Sequence, residues 1–132
     1  MNQLLKRKNN ELSLKKKKGF TLIELIIVIA IIAILAAIAI PKFGAAKHNA
    51  DVSADQANAK IIATAVANAV AHGDIPDTTA TIATNNAGLI KYIDGGKVPA
   101  VKSVSSGSWT ISYDTSSGIT VDIGSNQFYP IS

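Results

Sequence analysis

Residues 25–40 are sixteen consecutive positions drawn only from Leu, Ile, Val and Ala, and no other feature of this 132-residue chain restricts its fold as much. A helix at the surface of a soluble domain keeps a polar face, so a run that is apolar on every side has to be covered all round. Extending the run back to Phe20 gives 21 positions in which only Thr21 and Glu24 are polar. As a helix that stretch spans roughly 30 Å, about the thickness of one bilayer core. It reads as a membrane span or an export signal.

Thirteen Lys and Arg against nine Asp and Glu give the whole chain +4, which taken alone suggests nucleic acid or anionic lipid as a partner. Seven of those bases (Lys6, Arg7, Lys8, Lys15, Lys16, Lys17 and Lys18) precede residue 20, beside the single acid Glu11. From residue 20 onward six bases meet eight acids, so no direct nucleic-acid contact is expected. The lysine block abuts the apolar run and sets its orientation: the N-terminus stays cytoplasmic, and everything after Ile40 is delivered outside. With no cysteine in the chain, disulfides and thiolate metal sites are excluded.

Composition divides the chain into a basic leader, 1–19, a long N-terminal helix, 20–72, and a Ser/Thr/Gly-rich headpiece, 73–132. Residues 42–72 hold eleven alanines, and Ala59, Ile62, Ala63, Val66, Ala69 and Val70 fall on one helical stripe. Lys47 and Asp51 at i, i+4, with Asp55, Asn58, Lys60, Thr64 and Asn68, are read as the solvent-facing positions. Gly73 followed by Pro76 predicts the stop. Next, Asn85 or Asn86 is expected to cap a short helix through Leu89, Ile90, Tyr92 and Ile93, ended by Gly95 and Gly96.

Residues 108–113 and 118–123 alternate, with Trp109, Ile111 and Tyr113 on one face and Ile119, Val121 and Ile123 on the other strand's face, joined by a turn at 114–117. A third strand is expected at 100–104 or 127–131, beside Pro99 or Pro130. The fold class is therefore α+β: a long helix packed on a small antiparallel sheet.

An ordinary secretory signal would be cut after Ala39, at Ala37-Ile38-Ala39. Its 39 residues and sixteen-residue apolar run exceed the usual bounds of about 15–30 and 7–15, and it leaves Glu24 without a purpose. Residues 15–41, KKKKGFTLIELIIVIAIIAILAAIAIP, instead resemble the N-terminus of the type IV pilins and pseudopilins. The shared features are a basic leader ending in Gly19, then Phe20, a glutamate at the fifth mature position (Glu24), an unbroken apolar helix, and Pro41. Ala33 departs from a common pattern, since many relatives carry glycine there.

The resemblance implies that a membrane peptidase cuts between Gly19 and Phe20 and methylates the new amine on Phe20. Glycine suits such a cut, because a residue without a side chain lets the peptide backbone approach the catalytic groups. It further implies that Glu24, a carboxylate in an otherwise apolar helix, pairs with the Phe20 amine of a neighbouring subunit and sets the register of stacking. Pro41 should kink or locally open the helix. A chain apolar over its first half and amphipathic over its second must be covered by lipid, then by copies of itself, with Ala30, Ala33, Ala36, Ala37 and Ala39 allowing close approach.

Nothing in the headpiece reads as a reaction centre. His48 and His72 are far apart with no clustered carboxylate, so neither a catalytic nor a metal site is expected, no cofactor is needed, and the chain is not read as an enzyme. Trp109, Tyr113, Phe128 and Tyr129 are read as packing residues rather than a ligand platform.

The expected function is the major subunit of a type IV pilus, a helical homopolymer serving motility, adhesion and biofilm. Its implied partners are the prepilin peptidase and methylase, the assembly platform and its ATPase. The chain would lie in the cytoplasmic membrane before assembly and in an extracellular pilus after it. A pseudopilin of a secretion or DNA-uptake system is the alternative. A membrane-anchored binding module that never polymerises is a third reading, against which Glu24 argues, because a permanent anchor gains nothing from a buried acid.

Overall fold

The computed structural model describes residues 19–130; the lysine-rich leader up to Lys18 and the final positions, where a strand was expected to reach Ile131, lie outside the described residues. The chain divides in sequence, between Phe43 and Gly44, into two compact units. Helix α1 is Leu22–Ala71, 50 residues that include Pro41. It falls within the expected 20–72.

In the first unit, over 22–43, every helical residue except half-buried Ala36 is exposed. Side chains such as Leu22, Ile34, Leu35, Ile40 and Phe43 have no neighbours to bury them. In the second unit the expected stripe is the core face of α1: Ala59, Ile62, Ala63, Val66 and Ala69 are buried, Ala65 joins them, and Val70 packs at the margin. The helix stops where glycine allows it. Gly73 takes φ +78°, its N–H bonds the Val70 carbonyl at 3.0 Å, and the Asp74 N–H reaches back to Ala69 at 2.8 Å. These are the two bonds of a Schellman end.

After α1 come β1 (Ala80–Ile82), helix α2 (Ala87–Ile90), β2 (Trp109–Asp114), β3 (Gly118–Ile123) and β4 (Asn126–Tyr129). The four strands form one sheet in the order β1-β2-β3-β4, antiparallel throughout. Register explains why the sheet has a core face. Trp109 pairs with Ile123, Ile111 with Val121 and Tyr113 with Ile119, so the two alternating apolar sets lie opposite one another. The turn between them is held by Asp114, whose Oδ1 accepts the N–H groups of Ser116 (2.8 Å) and Ser117 (2.9 Å). Thr79 donates to its other oxygen at 3.1 Å, tying the approach to β1 to this turn.

Ile62, Val66, Leu89, Ile111 and Val121 are fully enclosed where α1, α2 and the sheet meet. Each contributes about 1.5–3 kcal/mol of apolar burial. Asn86 caps α2, its Oδ1 accepting from the N–H groups of Gly88 (2.9 Å) and Leu89 (3.1 Å). The helix is shorter than expected: it stops at Ile90, Tyr92 and Ile93 fall in the turn after it, and Gly95 and Gly96, both at positive φ, shape that turn rather than end the helix.

Asp55, read as solvent-facing, is fully buried. Of the two places expected for a further strand, 127–131 overlaps β4, whereas 100–104 is part of an irregular connector between α2 and β2. The sequence carries no signal for β1, because three residues, two of them exposed, are too few to show a period.

Candidate functional site

The residues singled out for processing and assembly all lie in the first unit, at the beginning of α1 and at Pro41 within it. Thr21 is the residue before the helix and Glu24 lies in its first turn. The Thr21 hydroxyl accepts the Glu24 N–H at 3.3 Å; in return Glu24 Oε2 accepts the Thr21 N–H at 2.8 Å and its hydroxyl at 3.0 Å. This is a reciprocal capping box: two backbone donors that the first turn would leave orphaned are satisfied by side chains. Helical bonding begins with the Leu25 N–H on the Thr21 carbonyl at 3.2 Å. A carboxylate is also favoured there by the helix dipole.

Sequence reasoning singled out Glu24 and missed Thr21. The signal is present in the spacing Thr-x-x-Glu ahead of an apolar run. Phe20 is 93% exposed. A Cβ placed on Gly19 would meet nothing within 4 Å, so no contact inside the described chain demands glycine at that position. Pro41 is seventeen positions beyond Glu24 on the same helix and is not brought to it.

The second unit gathers several polar contacts. Asp74 Oδ2 accepts the Tyr92 hydroxyl at 2.6 Å and the Lys91 ammonium at 3.0 Å, and these bonds hold the Asp74 carboxyl below the usual carboxylate range. The same carboxylate raises Lys91 and Tyr92 above their ordinary values. Tyr113 donates to Asp77 at 2.6 Å and is raised by that bond. The ring of His72 packs against Tyr92 with centroids 5.4 Å apart.

Among the described residues no group of three or more His, Asp or Glu is placed to hold a metal. The aromatic residues serve the core: Trp109 meets Phe128 edge-on at 6.0 Å and donates its indole N–H to the Pro99 carbonyl at 2.7 Å, while Tyr113 and Tyr129 pack at the margin.

What the site can do follows from its surface. Contiguous exposed apolar patches on soluble monomers rarely exceed a few hundred Å². An α1 segment exposed at almost every position over 22–43 is far larger, and the helix is long and apolar enough to cross a membrane. It fits a membrane anchor. No curated protein and no solved structure matches the chain. Residues 14–40, a span containing Gly19, Phe20, Thr21 and Glu24, match the family model of the prokaryotic N-terminal methylation motif, the signature of type IV prepilins and pseudopilins.

Proposed function

We propose that this chain is the major structural subunit of a type IV pilus, cut after Gly19, methylated on Phe20 and polymerised through α1 into an extracellular filament for motility, adhesion and biofilm. The observation that carries the proposal is the apolar stretch of α1, exposed over 22–43 and interrupted near its start by the single carboxylate of Glu24. Lipid covers such a surface before assembly. Outside the membrane only copies of the same helix present enough matching apolar area, and head-to-tail contact of that kind extends into a fibre rather than closing.

Removal of the leader, 1–19, discards seven of the chain's bases and creates an amine on Phe20. In the filament Glu24 meets that amine on a neighbour, so that two groups costly to bury singly enter the interior together. Their pairing admits one axial offset between parallel helices. Pro41, without a backbone N–H, is where α1 opens when subunits pack. The openness around Gly19 supports the cleavage assignment, since the demand for glycine there then comes from the peptidase. A prepilin peptidase and methylase, an assembly platform and an ATPase complete the machinery.

Intact-mass spectrometry of sheared surface material and of the membrane fraction tests the reading. The expected dominant sheared species begins at N-methylated Phe20. The same species confined to membranes means a pseudopilin, and a chain beginning at Ile40 means an ordinary secreted protein. Two variants then separate the roles of Glu24. Glu24→Gln keeps the capping box with Thr21, since glutamine also serves at that position, but has no charge; Glu24→Val loses both. Both are expected to be inserted and cleaved yet scarcely assembled. Abundant filaments from Glu24→Gln would show that the cap, not the ion pair, is what assembly needs.

A further inference from the structure

Asp55 is buried to 0% relative exposure, although its helix presents polar residues on either side of it in sequence. Its carboxylate is turned onto the connector between α2 and β2. Oδ1 accepts the Lys102 N–H at 2.9 Å, and Oδ2 accepts the N–H groups of Lys102 at 3.1 Å and of Ser103 at 2.7 Å. Two successive backbone donors converging on one anion form a nest, a concavity that favours negative charge. The anion that fills it comes from the chain itself, 47 and 48 residues earlier in sequence.

The rest of the connector is fastened at its two ends. The Trp109 indole holds the Pro99 carbonyl, and Gly107 packs so closely that a Cβ there would lie 2.9 Å from Ile123 Cγ2 and 3.0 Å from Val101 Cγ1. Between those points Lys102 and Val104 are exposed, and Asp55 is what holds the backbone that carries them.

We infer that Asp55 is a non-covalent staple: its ionised carboxylate, seated on the Lys102–Ser103 nest, pins the connector to α1 and performs in this cysteine-free headpiece the cross-linking that a disulfide performs in other small extracellular domains. The chemistry requires the charge and not only the shape. Both oxygens accept, so an asparagine, even with its one oxygen in the place of Oδ2, would set its NH₂ donor-to-donor against the Lys102 N–H and would lose the charge that strengthens the remaining bonds. The staple also shapes the surface beside it, an apolar groove of about 470 Å³ whose wall includes Pro99, Val101, Val104 and Trp109. The charged groups around Asp55 are the Lys102 side chain on the connector and, on its own helix, Asp51, paired with Lys47 at 2.8 Å. His48 lines the neighbouring rim together with Ser103.

The test uses the full chain in detergent micelles. In the unmutated protein the amides of Lys102 and Ser103 should exchange with deuterium as slowly as those of β2 and β3. Exchange at the rate of the exposed Ser105 and Ser106 overturns the staple without any variant. Trypsin cleavage after Lys102 then reads the hold on the connector. Asp55→Asn should speed that cleavage about tenfold or more, as expected from losing charge-assisted bonds. Ile62→Val, which loosens the same helix while leaving the Asp55 bonds to Lys102 and Ser103 in place, provides the comparison. Cleavage of Asp55→Asn no faster than that of Ile62→Val means general loosening and refutes the inference.

Discussion

Gly88 provides a case in which local preference and tertiary contact predict opposite signs. It is the second residue of α2 and its φ is not in the left-handed region, so alanine suits the backbone. On propensity alone Gly88→Ala should stabilise by about 1 kcal/mol. The fold reverses this. A Cβ at position 88 would stand 2.5 Å from the Asp74 carbonyl oxygen, 3.0 Å from its carbon and 3.1 Å from Asn86 Oδ1, the atom that caps α2. Ordinary C···O contact lies near 3.3 Å or beyond, so something must give by close to an ångström.

Asp74 cannot yield easily, because its N–H closes the end of α1 on Ala69 at 2.8 Å and its carboxylate is bonded to Tyr92 and Lys91. Forced overpacking costs about 1–3 kcal/mol, and a disturbed cap about 1 kcal/mol more. Set against the propensity gain, the net is a loss of about 1–3 kcal/mol. Urea unfolding in micelles, followed by fluorescence of Trp109, the sole tryptophan, should show the midpoint lowered by about 1 M. An unchanged or raised midpoint would mean that the Asp74 turn moves aside freely, and would refute the claim that this contact is rigid.

Two further outcomes are expected. Gly19→Val should stop removal of the leader, and the unprocessed mass should accumulate in membranes; a product still beginning at Phe20 would displace the assigned cut. Acid should weaken the headpiece: hydrogen bonds to Ser116 and Ser117 hold Asp114 below the usual carboxylate range, and Tyr92 and Lys91 do the same for Asp74. Burial opposes the charge on Asp55, but the bonds from Ser103 and Lys102 outweigh it and lower this carboxyl too. Groups lowered in this way contribute stability in full above the unfolded carboxylate pKa of about 3.9, and it is lost as pH falls through the folded values. The urea midpoint should therefore hold from pH 7 to about 5 and decline below 4, less steeply in Asp55→Asn; a midpoint that rises on acidification contradicts these assignments.

Features set by neighbours in sequence were legible without coordinates. The apolar run needs only composition, the stripe from Ala59 to Val70 only a 3.6-residue period, and the end of α1 only a glycine able to take positive φ. The paired strands 109–114 and 118–123 show their shared face by alternation, and the turn between them by its Asp-Thr-Ser-Ser-Gly sequence. Within the methylation-motif segment Gly19 and Phe20 are legible through the resemblance and Glu24 through its charge in an apolar run, and even the missed partner Thr21 lies three residues from Glu24.

Tertiary structure decided what depends on distant segments. Asp55 looks like any polar residue on an amphipathic helix until a loop 47 residues away presents two N–H groups to it. β1 exists because β2 offers an edge, not because Ala-Thr-Ile prefers extension. Gly88 is confined by a carbonyl fourteen positions earlier. Side-chain periodicity reports whether a face is covered, whereas the identity of what covers it is settled by long-range packing, and there a short strand, a buried charge and a tight glycine carry no local signature.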